Sequence, residues 1–267
     1  MIDQYLDRGI KEVIDRFPRV GRVLDEYQVG CTTCGVGTCK LKDVVRIHNL
    51  SADQEKALFV RLEAVLGGQA DPQTASAVPA AKAPAAKPAF KYSPPLKKLV
   101  DEHTVIKRLL ALVPTVAARL DLGREADRRA VRGAIAFIRE YADKYHHAKE
   151  EDVLFKYFDE SSDILQAMHA DHAQARRHTA AMAEGLAAGD RGKTAAAMTA
   201  HRALLDEHIM KEDTILYPWM DRNLTTSQVG ELYARFAEID KEFGDAPRRH
   251  EEFVKQMEVE YGKESAV

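Results

Sequence analysis

The feature that most constrains this chain is a set of four helix-length stretches, each with a histidine among its apolar residues. From about residue 96 onward, apolar residues recur every three or four positions over four successive stretches, which is the period of a buried helix face. The histidines within these faces are His103, His146, His172 and His208. The pattern predicts four long helices, each with an imidazole at a core position.

Short breaks separate these predicted helices, at Gly123, Ser161–Ser162 and Gly189. Connections of this length favour antiparallel neighbours, so the sequence predicts an all-α fold with an up-down-up-down four-helix bundle. Thr225 and Gln228 have the spacing of a capping box, which predicts the start of a fifth helix.

Composition divides the chain into three parts. Residues 67–95 are rich in alanine, proline and lysine and have no apolar periodicity, which predicts a semi-rigid linker. The linker separates a small N-terminal helical domain, residues 1–66, from the bundle at residues 96–262. In the N-terminal domain, Pro18 interrupts an apolar stripe and predicts two short helices, and a capping-box spacing at Ser51 predicts another.

Charge and hydropathy exclude several classes of function. The chain has 39 basic and 42 acidic residues, so no overall field attracts nucleic acid or a membrane surface. The N-terminus lacks the apolar core of a signal peptide, and no run is long and apolar enough to cross a bilayer. We therefore expect a cytoplasmic protein that binds neither nucleic acid nor membrane.

Two of the four stripes also carry a glutamate one turn after the histidine. A buried carboxylate is costly unless a cation neutralises it, and residues at i and i+4 lie about 5–6 Å apart at Cβ on one helix face. The pattern therefore predicts a metal site. Its predicted ligands are His103, His146, Glu150, His172, His208 and Glu212. Imidazole and carboxylate suit iron, zinc or manganese, so the ligand types alone do not name the metal.

An internal repeat selects the frame of these motifs. HHAKEEDVLF, which begins at His146, and HIMKEDTILY, which begins at His208, share histidine, lysine, glutamate, an acid, and then leucine with an aromatic. In this frame His147 and Glu151 point about 100° away from the ligand face. His201 is expected in the core. The acids that precede ligands are expected to face solvent: Glu102, Asp171 and Glu207.

The motifs DEH at 101–103, HHAKEEDVLF, ADH at 170–172 and HIMKEDTILYP resemble those of the hemerythrin-like, HHE cation-binding domain. The resemblance covers residues 96–262. It implies a non-haem centre of two Fe ions, bridged by the two glutamates and an oxo or hydroxo group. Oxygen-carrying hemerythrins have a second histidine one turn after the first on the third helix, where this chain has Arg176. One protein ligand fewer leaves room for water, O2, NO or another exogenous ligand.

The cysteines form a separate cluster at Cys31, Cys34 and Cys39. An odd, clustered set predicts free thiols in a reducing compartment rather than a disulfide framework. Three thiolates fall short of a four-cysteine metal or iron–sulfur site, so His48 or a second chain would have to complete one. A redox role for Cys31 and Cys34 is the equal alternative to a second metal or Fe–S cluster.

The ligand pattern is also similar to the repair-of-iron-centres family, which joins a cysteine-containing N-terminal domain to a bundle. The similarity implies an iron protein of oxidative or nitrosative stress response that binds O2, NO or peroxide. Its partners would be a redox protein or an iron-centre client. A sensor or binding module that signals to a partner is the alternative. The sequence names no separate catalytic acid or base, so a di-iron oxidoreductase activity stays open.

Overall fold

The structure is a computed structural model that describes residues 2–27, 40–42, 52–67 and 90–262. The three cysteines, His48, Ser51 and most of the predicted linker lie outside these residues. Within the described ranges the regular elements are helices, and strand-like pairing is limited to one bridge between residues 9 and 40. No described helix combines the length and apolar character needed to span a membrane.

The chain divides into two compact units. The first comprises residues 1–91 and also residues 214–220, and the second comprises residues 92–213 and 221–267. All six predicted histidine and glutamate ligands belong to the second unit.

The first unit contains short helices around a small apolar core. They are α1 (Asp3–Leu6), α2 (Ile10–Arg16), α3 (Pro18–Glu26) and α4 (Ala52–Leu66). Pro18 begins α3, where its missing N–H would have no partner within the helix. This confirms the predicted break between two short helices. Fully buried residues of α3 and α4 share this core, among them Leu24, Leu58 and Leu62.

Long helices dominate the rest of the chain. They are α5 (Pro94–Arg119), α6 (Glu125–Phe137), α7 (Asp163–Ala188), α8 (Arg191–Lys211), α9 (Tyr217–Asn223), α10 (Thr226–Phe243) and α11 (Ala246–Tyr261). Two helices continue in wider, π-helical turns, which follow α6 at Ile138–His147 and Glu150–Leu154 and follow α8 at Glu212–Leu216. A short 3₁₀ turn covers Phe155–Tyr157.

These helices form the predicted antiparallel bundle. We call α5 the first bundle helix, α6 with its π-helical continuation the second, α7 the third, and α8 with Glu212 and Asp213 the fourth. The fourth packs against the first and third, and α11 lies against the first and second. An apolar cluster that includes Leu120, Met182 and Met198 fills the end of the bundle nearest the α7–α8 connection. The bundle architecture of the predicted all-α fold is therefore confirmed.

Local signals set the helix ends. Gly189 follows α7 with φ +67°, a left-handed conformation that glycine adopts without a Cβ clash. Asp190 then caps α8 by accepting a hydrogen bond from the Lys193 amide. Thr225 and Gln228 form both hydrogen bonds of a capping box at the start of α10, which confirms that prediction.

Candidate metal centre

The six predicted ligands meet in one buried layer of the second unit. None of their side chains is more than about 1% exposed. The layer lies toward the start of the first and third bundle helices and toward the end of the second and fourth. Helices that run antiparallel bring such positions to the same level of a bundle.

Glu212 lies between histidines from opposite sides of this layer. Its Oε2 is 3.2 Å from Nε2 of His103, and its Oε1 is 3.2 Å from Nε2 of His208. Neither oxygen makes a hydrogen bond of good geometry to a described residue. The two oxygens of this carboxylate therefore face two different imidazoles, an arrangement suited to bridging two cations.

Glu150 occupies the corresponding place on the second bundle helix. Its Oε2 is 3.8 Å from Nε2 of His146 and 3.5 Å from Nε2 of His172. Three groups of buried side chains bring donor atoms within 4.8 Å of one another: His103 with His146 and Glu212, Glu150 with His172 and Glu212, and His147 with His172 and His208. Histidine and glutamate clusters able to hold metal ions are thus present in the bundle.

Each of the four predicted histidine ligands has a carboxylate beside its other ring nitrogen. Nδ1 of His103 is 2.7 Å from Asp213, Nδ1 of His146 is 2.9 Å from Glu102, Nδ1 of His172 is 2.6 Å from Glu151, and Nδ1 of His208 is 3.4 Å from Asp171. In every case the acid comes from a neighbouring helix. The first bundle helix provides the acid for the histidine of the second, the second for the third, and the third for the fourth. The fourth provides the acid for the histidine of the first.

This ring of carboxylates sets the direction of the imidazoles. An acid at Nδ1 holds the proton there and leaves the Nε2 lone pair facing the layer, as in carboxylate–histidine–metal triads. Nε2 of His172 and Nε2 of His208 are 3.0 Å apart. This is close to the separation of two neighbouring ligand atoms that both bind the same ion at about 2.1 Å. Nε2 of His146 has no hydrogen-bond partner among the described residues. The donor set therefore fits metal cations.

The electrostatics around His208 and His103, the two histidines closest to Glu212, show the same demand for positive charge. Burial opposes protonation of His208, but Glu212 and Asp171 outweigh it and raise its pKa to about 9. Burial likewise opposes protonation of His103, yet Asp213 and Glu212 raise its pKa above the usual value. Both imidazoles thus take up protons to balance buried carboxylate charge. Metal ions at these nitrogens would displace those protons.

A buried lysine neutralises the outer acid of each His-x-x-x-Glu motif. Lys149 is fully buried and contacts Glu102, which supports His146 of the same motif. In the second motif Nζ of Lys211 is 3.6 Å from Asp171, which supports His208. The lysine at the same position of both motifs therefore stabilises the acid that contacts the histidine of that motif.

His147 does not point away from the ligand face, as the helical period predicted, although it stays outside the predicted ligand set. It is only 4% exposed and its ring lies on that of His172, with centroids 3.9 Å apart and planes 15° apart. The sequence argument assumed 3.6 residues per turn, whereas residues 138–147 form wider π-helical turns, which bring an extra side chain inward.

Ring geometry distinguishes His147 from the other histidines. The His103–His146 and His172–His208 ring pairs are tilted by 59° and 68°, so that both rings of a pair can point a nitrogen at one ion. Nearly parallel rings at 3.9 Å lie face to face, and a single ion cannot lie in both ring planes. Nδ1 of His147 also has no hydrogen-bond partner in the described part of the chain. His147 therefore packs on the ligand layer without sharing an ion with His172.

Replacing His147 with phenylalanine tests this assignment. Phenylalanine keeps an aromatic ring on His172 but cannot bind metal, so we expect the metal content per chain to equal that of the wild type. The measurement is elemental analysis of purified protein after reconstitution. A variant that loses one ion would instead identify His147 as a further ligand.

Two comparisons with known proteins bear on this geometry. The model of the hemerythrin HHE cation-binding domain matches residues 95–220, and a second match covers residues 163–261. The chain belongs to this family. Residues 163–220 fall in both matches, as expected if the HHE domain contains two similar helix pairs. Each pair would carry a lone histidine followed by a His-x-x-x-Glu motif.

Similar proteins occur in mycobacteria. They include Uncharacterized protein Rv1995 of Mycobacterium tuberculosis and Uncharacterized protein Mb2018 of Mycobacterium bovis. Each is 24% identical to this chain over 232 residues, which cover 81% of this chain and 88% of the relative. The aligned part of the chain is longer than the region matched by the HHE domain, so the similarity extends beyond that domain. No solved structure matches the chain.

Sequence reasoning missed the outer acids of the HHE domain. Glu102 was expected in solvent but is 5% exposed, and Asp171 is only partly exposed beside His208. Glu207 does face solvent, as predicted. Glu151 lies off the ligand face, as predicted, yet it holds His172. The sequence did carry a signal for these acids, because each is the direct neighbour of a predicted ligand. The four pairs lie in DEH at 101–103, EE at 150–151, ADH at 170–172 and ED at 212–213.

Proposed function

We propose that this HHE domain holds a non-haem di-iron centre that binds O2, NO or peroxide. The observation that carries the proposal is the ring of four Nδ1 carboxylates, with the opposite ring nitrogens directed at Glu150 and Glu212. The proposed ligands are His103, His146, Glu150, His172, His208 and Glu212.

The donor set divides evenly between two ions. One ion would take His103 and His146, and the other would take His172 and His208. Glu212 supports this division because each of its oxygens faces a histidine of a different pair. The four imidazoles and two carboxylates would hold the ions. Iron held by so few protein groups would supply positions for small exogenous ligands.

The biological role that we propose is a response to oxidative or nitrosative stress, or the repair of iron centres in other proteins. Its support is the resemblance of the ligand pattern and domain order to the repair-of-iron-centres family. The cysteine segment would then meet a redox partner or a client protein. When bound, iron supplies reversible electron transfer and affinity for diatomic ligands, and the chain positions the metal and shields it from bulk solvent.

Metal analysis tests the proposal directly. The full chain is produced with iron, purified without oxygen, and measured for metal content and by Mössbauer spectroscopy before and after addition of NO. We expect two irons per chain and a change in the iron spectrum when NO is added. One iron or none in folded protein, or a spectrum that NO leaves unchanged, would refute the di-iron function.

The outer acids provide a graded test of the same site. Glu151→Ala removes the acceptor at Nδ1 of His172 and should weaken metal affinity about 10–100-fold, the usual effect of losing such a partner. Competition with a chelator of known affinity measures the change. Asp152→Ala is the matched control, because it removes the same charge from an exposed neighbouring position. Equal losses in the two variants would show that general charge, rather than the His172 contact, sets the affinity.

A further inference from the structure

The outer surface between the second and third bundle helices is an open groove with a cationic rim. Its rim on the second helix carries Arg128, Arg132 and Arg139. Arg132 and Arg139 are exposed, and Arg128 is partly exposed. Among the described residues that line the groove, the one acid is Glu140. The floor consists of small or aliphatic side chains: Ile135, Ala136, Ala183, Leu186 and Ala187.

Two of the three rim arginines carry a charge that no neighbour balances. Arg139 makes no hydrogen bond or ion pair with a described residue. Arg128 donates to the main-chain oxygen of Leu122 at 3.2 Å, and this acceptor carries no charge. Arg128 and Arg132 are also four residues apart on one helix, a spacing at which like charges destabilise the helix. The arrangement therefore costs the isolated chain stability, and an anionic partner would relieve that cost.

The exposed acids of this face do not cancel the charge. Glu125 contacts Arg132, but both side chains are exposed, and surface ion pairs contribute little. Glu140 lies beside His250 of α11, with its Oε2 3.0 Å from Nε2 of the imidazole. The other two arginines of the rim remain without an acid, so the groove attracts anionic groups.

The chain covers the neighbouring groove with one of its own helices. There α11 lies against the first and second bundle helices, and the Phe253 ring is so close to Gly133 that a Cβ at this position would be 2.3 Å from it. In the groove between the second and third helices, by contrast, Arg132 and Ala187 on opposite walls remain exposed. Guanidinium groups pair with carboxylates through two parallel hydrogen bonds. The open groove therefore fits an acidic partner that also makes a small apolar contact.

One end of the groove lies close to the ligand layer. Arg139 and the proposed ligand His146 belong to the same π-helical turns, and the seven-residue step between them spans no more than about 10 Å of helix. The six proposed ligands are at most about 1% exposed, so a protein partner cannot contact metal at this centre directly. An electron from a partner in the groove would reach the centre through the second bundle helix.

We propose that this groove is the docking surface for an acidic one-electron carrier protein. The inference rests on the proposed di-iron function and names its source of electrons, which leaves the cysteine segment to contact a client protein. Two carriers would each lose one electron and together return two ferric ions to the ferrous state, and no covalent bond forms or breaks. Weak complexes of electron carriers bury less than about 1,200 Å² in total, a contact that an open groove can supply.

Isothermal titration calorimetry of the full-length, iron-loaded protein measures docking without electron transfer when both partners are oxidised. The probe is plant-type [2Fe–2S] ferredoxin, an acidic one-electron carrier, and cytochrome c is a basic carrier for comparison. Ferredoxin should bind with a micromolar Kd that rises with salt, because exposed charges are screened beyond about 10 Å at 0.1 M ionic strength. Cytochrome c should not bind.

Arg139→Glu should weaken ferredoxin binding about tenfold, because it replaces an unbalanced positive charge of the rim with a negative one. Arg235→Glu is the matched control, since Arg235 is an exposed arginine of α10 that does not line the groove. The same change of net charge at that position should alter the Kd less than about twofold, because it is made away from the contact.

A change in the floor tests shape separately from charge. Ala187→Trp fills the groove without changing its charge and should weaken ferredoxin binding several-fold. Ala180→Trp is its control, because Ala180 is exposed on the same helix but does not line the groove. Stopped-flow mixing with reduced ferredoxin then tests the donor role. At low salt the ferric absorption should disappear about tenfold more slowly in Arg139→Glu than in the wild type.

The outcomes separate the two proposals. Wild-type protein without two irons would refute the proposed function, and the donor role with it. In iron-loaded protein, any of three results would overturn the groove proposal: no ferredoxin binding, equal Kd values for Arg139→Glu and Arg235→Glu, or bound ferredoxin that leaves the iron oxidised. Tighter binding of RNA or anionic vesicles than of ferredoxin would also overturn it. Each of these results leaves the metal content and the response to NO, and hence the di-iron function, intact.

Discussion

Glu212→Ala is expected to abolish metal binding under conditions that saturate the wild type. Each oxygen of Glu212 lies 3.2 Å from a different imidazole nitrogen, so its loss removes a donor from both proposed ions. The metal affinity should fall more than about 100-fold, because losing a group that only hydrogen-bonds a ligand already weakens metal binding by up to about 100-fold. Metal content per chain after reconstitution and gel filtration is the measurement.

Glu207→Ala is the control for this substitution. Glu207 lies on the same helix, is 47% exposed at its side chain, and pairs with Lys211 from the solvent side. Its loss should leave the metal content unchanged, because exposed ion pairs contribute little. A Glu212→Ala protein that folds and still holds two ions would show that the buried carboxylate is not a ligand.

Lys149→Met should cause a large loss of stability although Lys149 lies outside the ligand set. Lys149 is fully buried, contacts Glu102, lies 3.2 Å from Asp240, and sits 3.3 Å above the ring of Tyr145. Removing the cation leaves two carboxylates without their shared partner, one of them buried. Breaking a buried ion pair from one side costs about 3–5 kcal/mol. Urea denaturation followed by circular dichroism measures the free energy of unfolding.

Lys211→Met is the matched comparison, because Lys211 holds the same position in the second motif. Lys211 is also buried, but both of its partners, Glu207 and Asp171, are partly exposed and remain hydrated without it. We expect a loss of about 1 kcal/mol or less, in the range of ion pairs with solvated partners. Similar losses in the two variants would contradict the view that its buried partner, Glu102, makes Lys149 the more important cation.

The bundle was predictable from the sequence because its signals are local. Apolar residues at helical spacing, a glycine after the third helix and a capping box at Thr225 each act within one or two turns. The π-helical turns were not predictable in this way. The assumed period of 3.6 residues failed over residues 138–147, and the burial of His147 was missed for that reason.

The buried layer of histidines and glutamates was predictable in part, for a related physical reason. Buried polar residues are conspicuous on an apolar stripe, so the histidines and glutamates could be identified one helix at a time. The outer acids could not, since each contacts a histidine on another helix. By the helical period Glu102 lies off the apolar stripe of its own helix, yet it is buried against His146 of the next helix.

The ring of outer carboxylates makes the four bundle helices depend on one another. Moving any one helix out of place withdraws its own imidazole and also releases the imidazole of the next helix in the ring. Local fraying at this level would therefore disturb two of the four proposed ligand histidines at once. Metal affinity and resistance to partial opening should rise and fall together. Amide hydrogen exchange near the proposed ligands should then slow in all four bundle helices when metal binds.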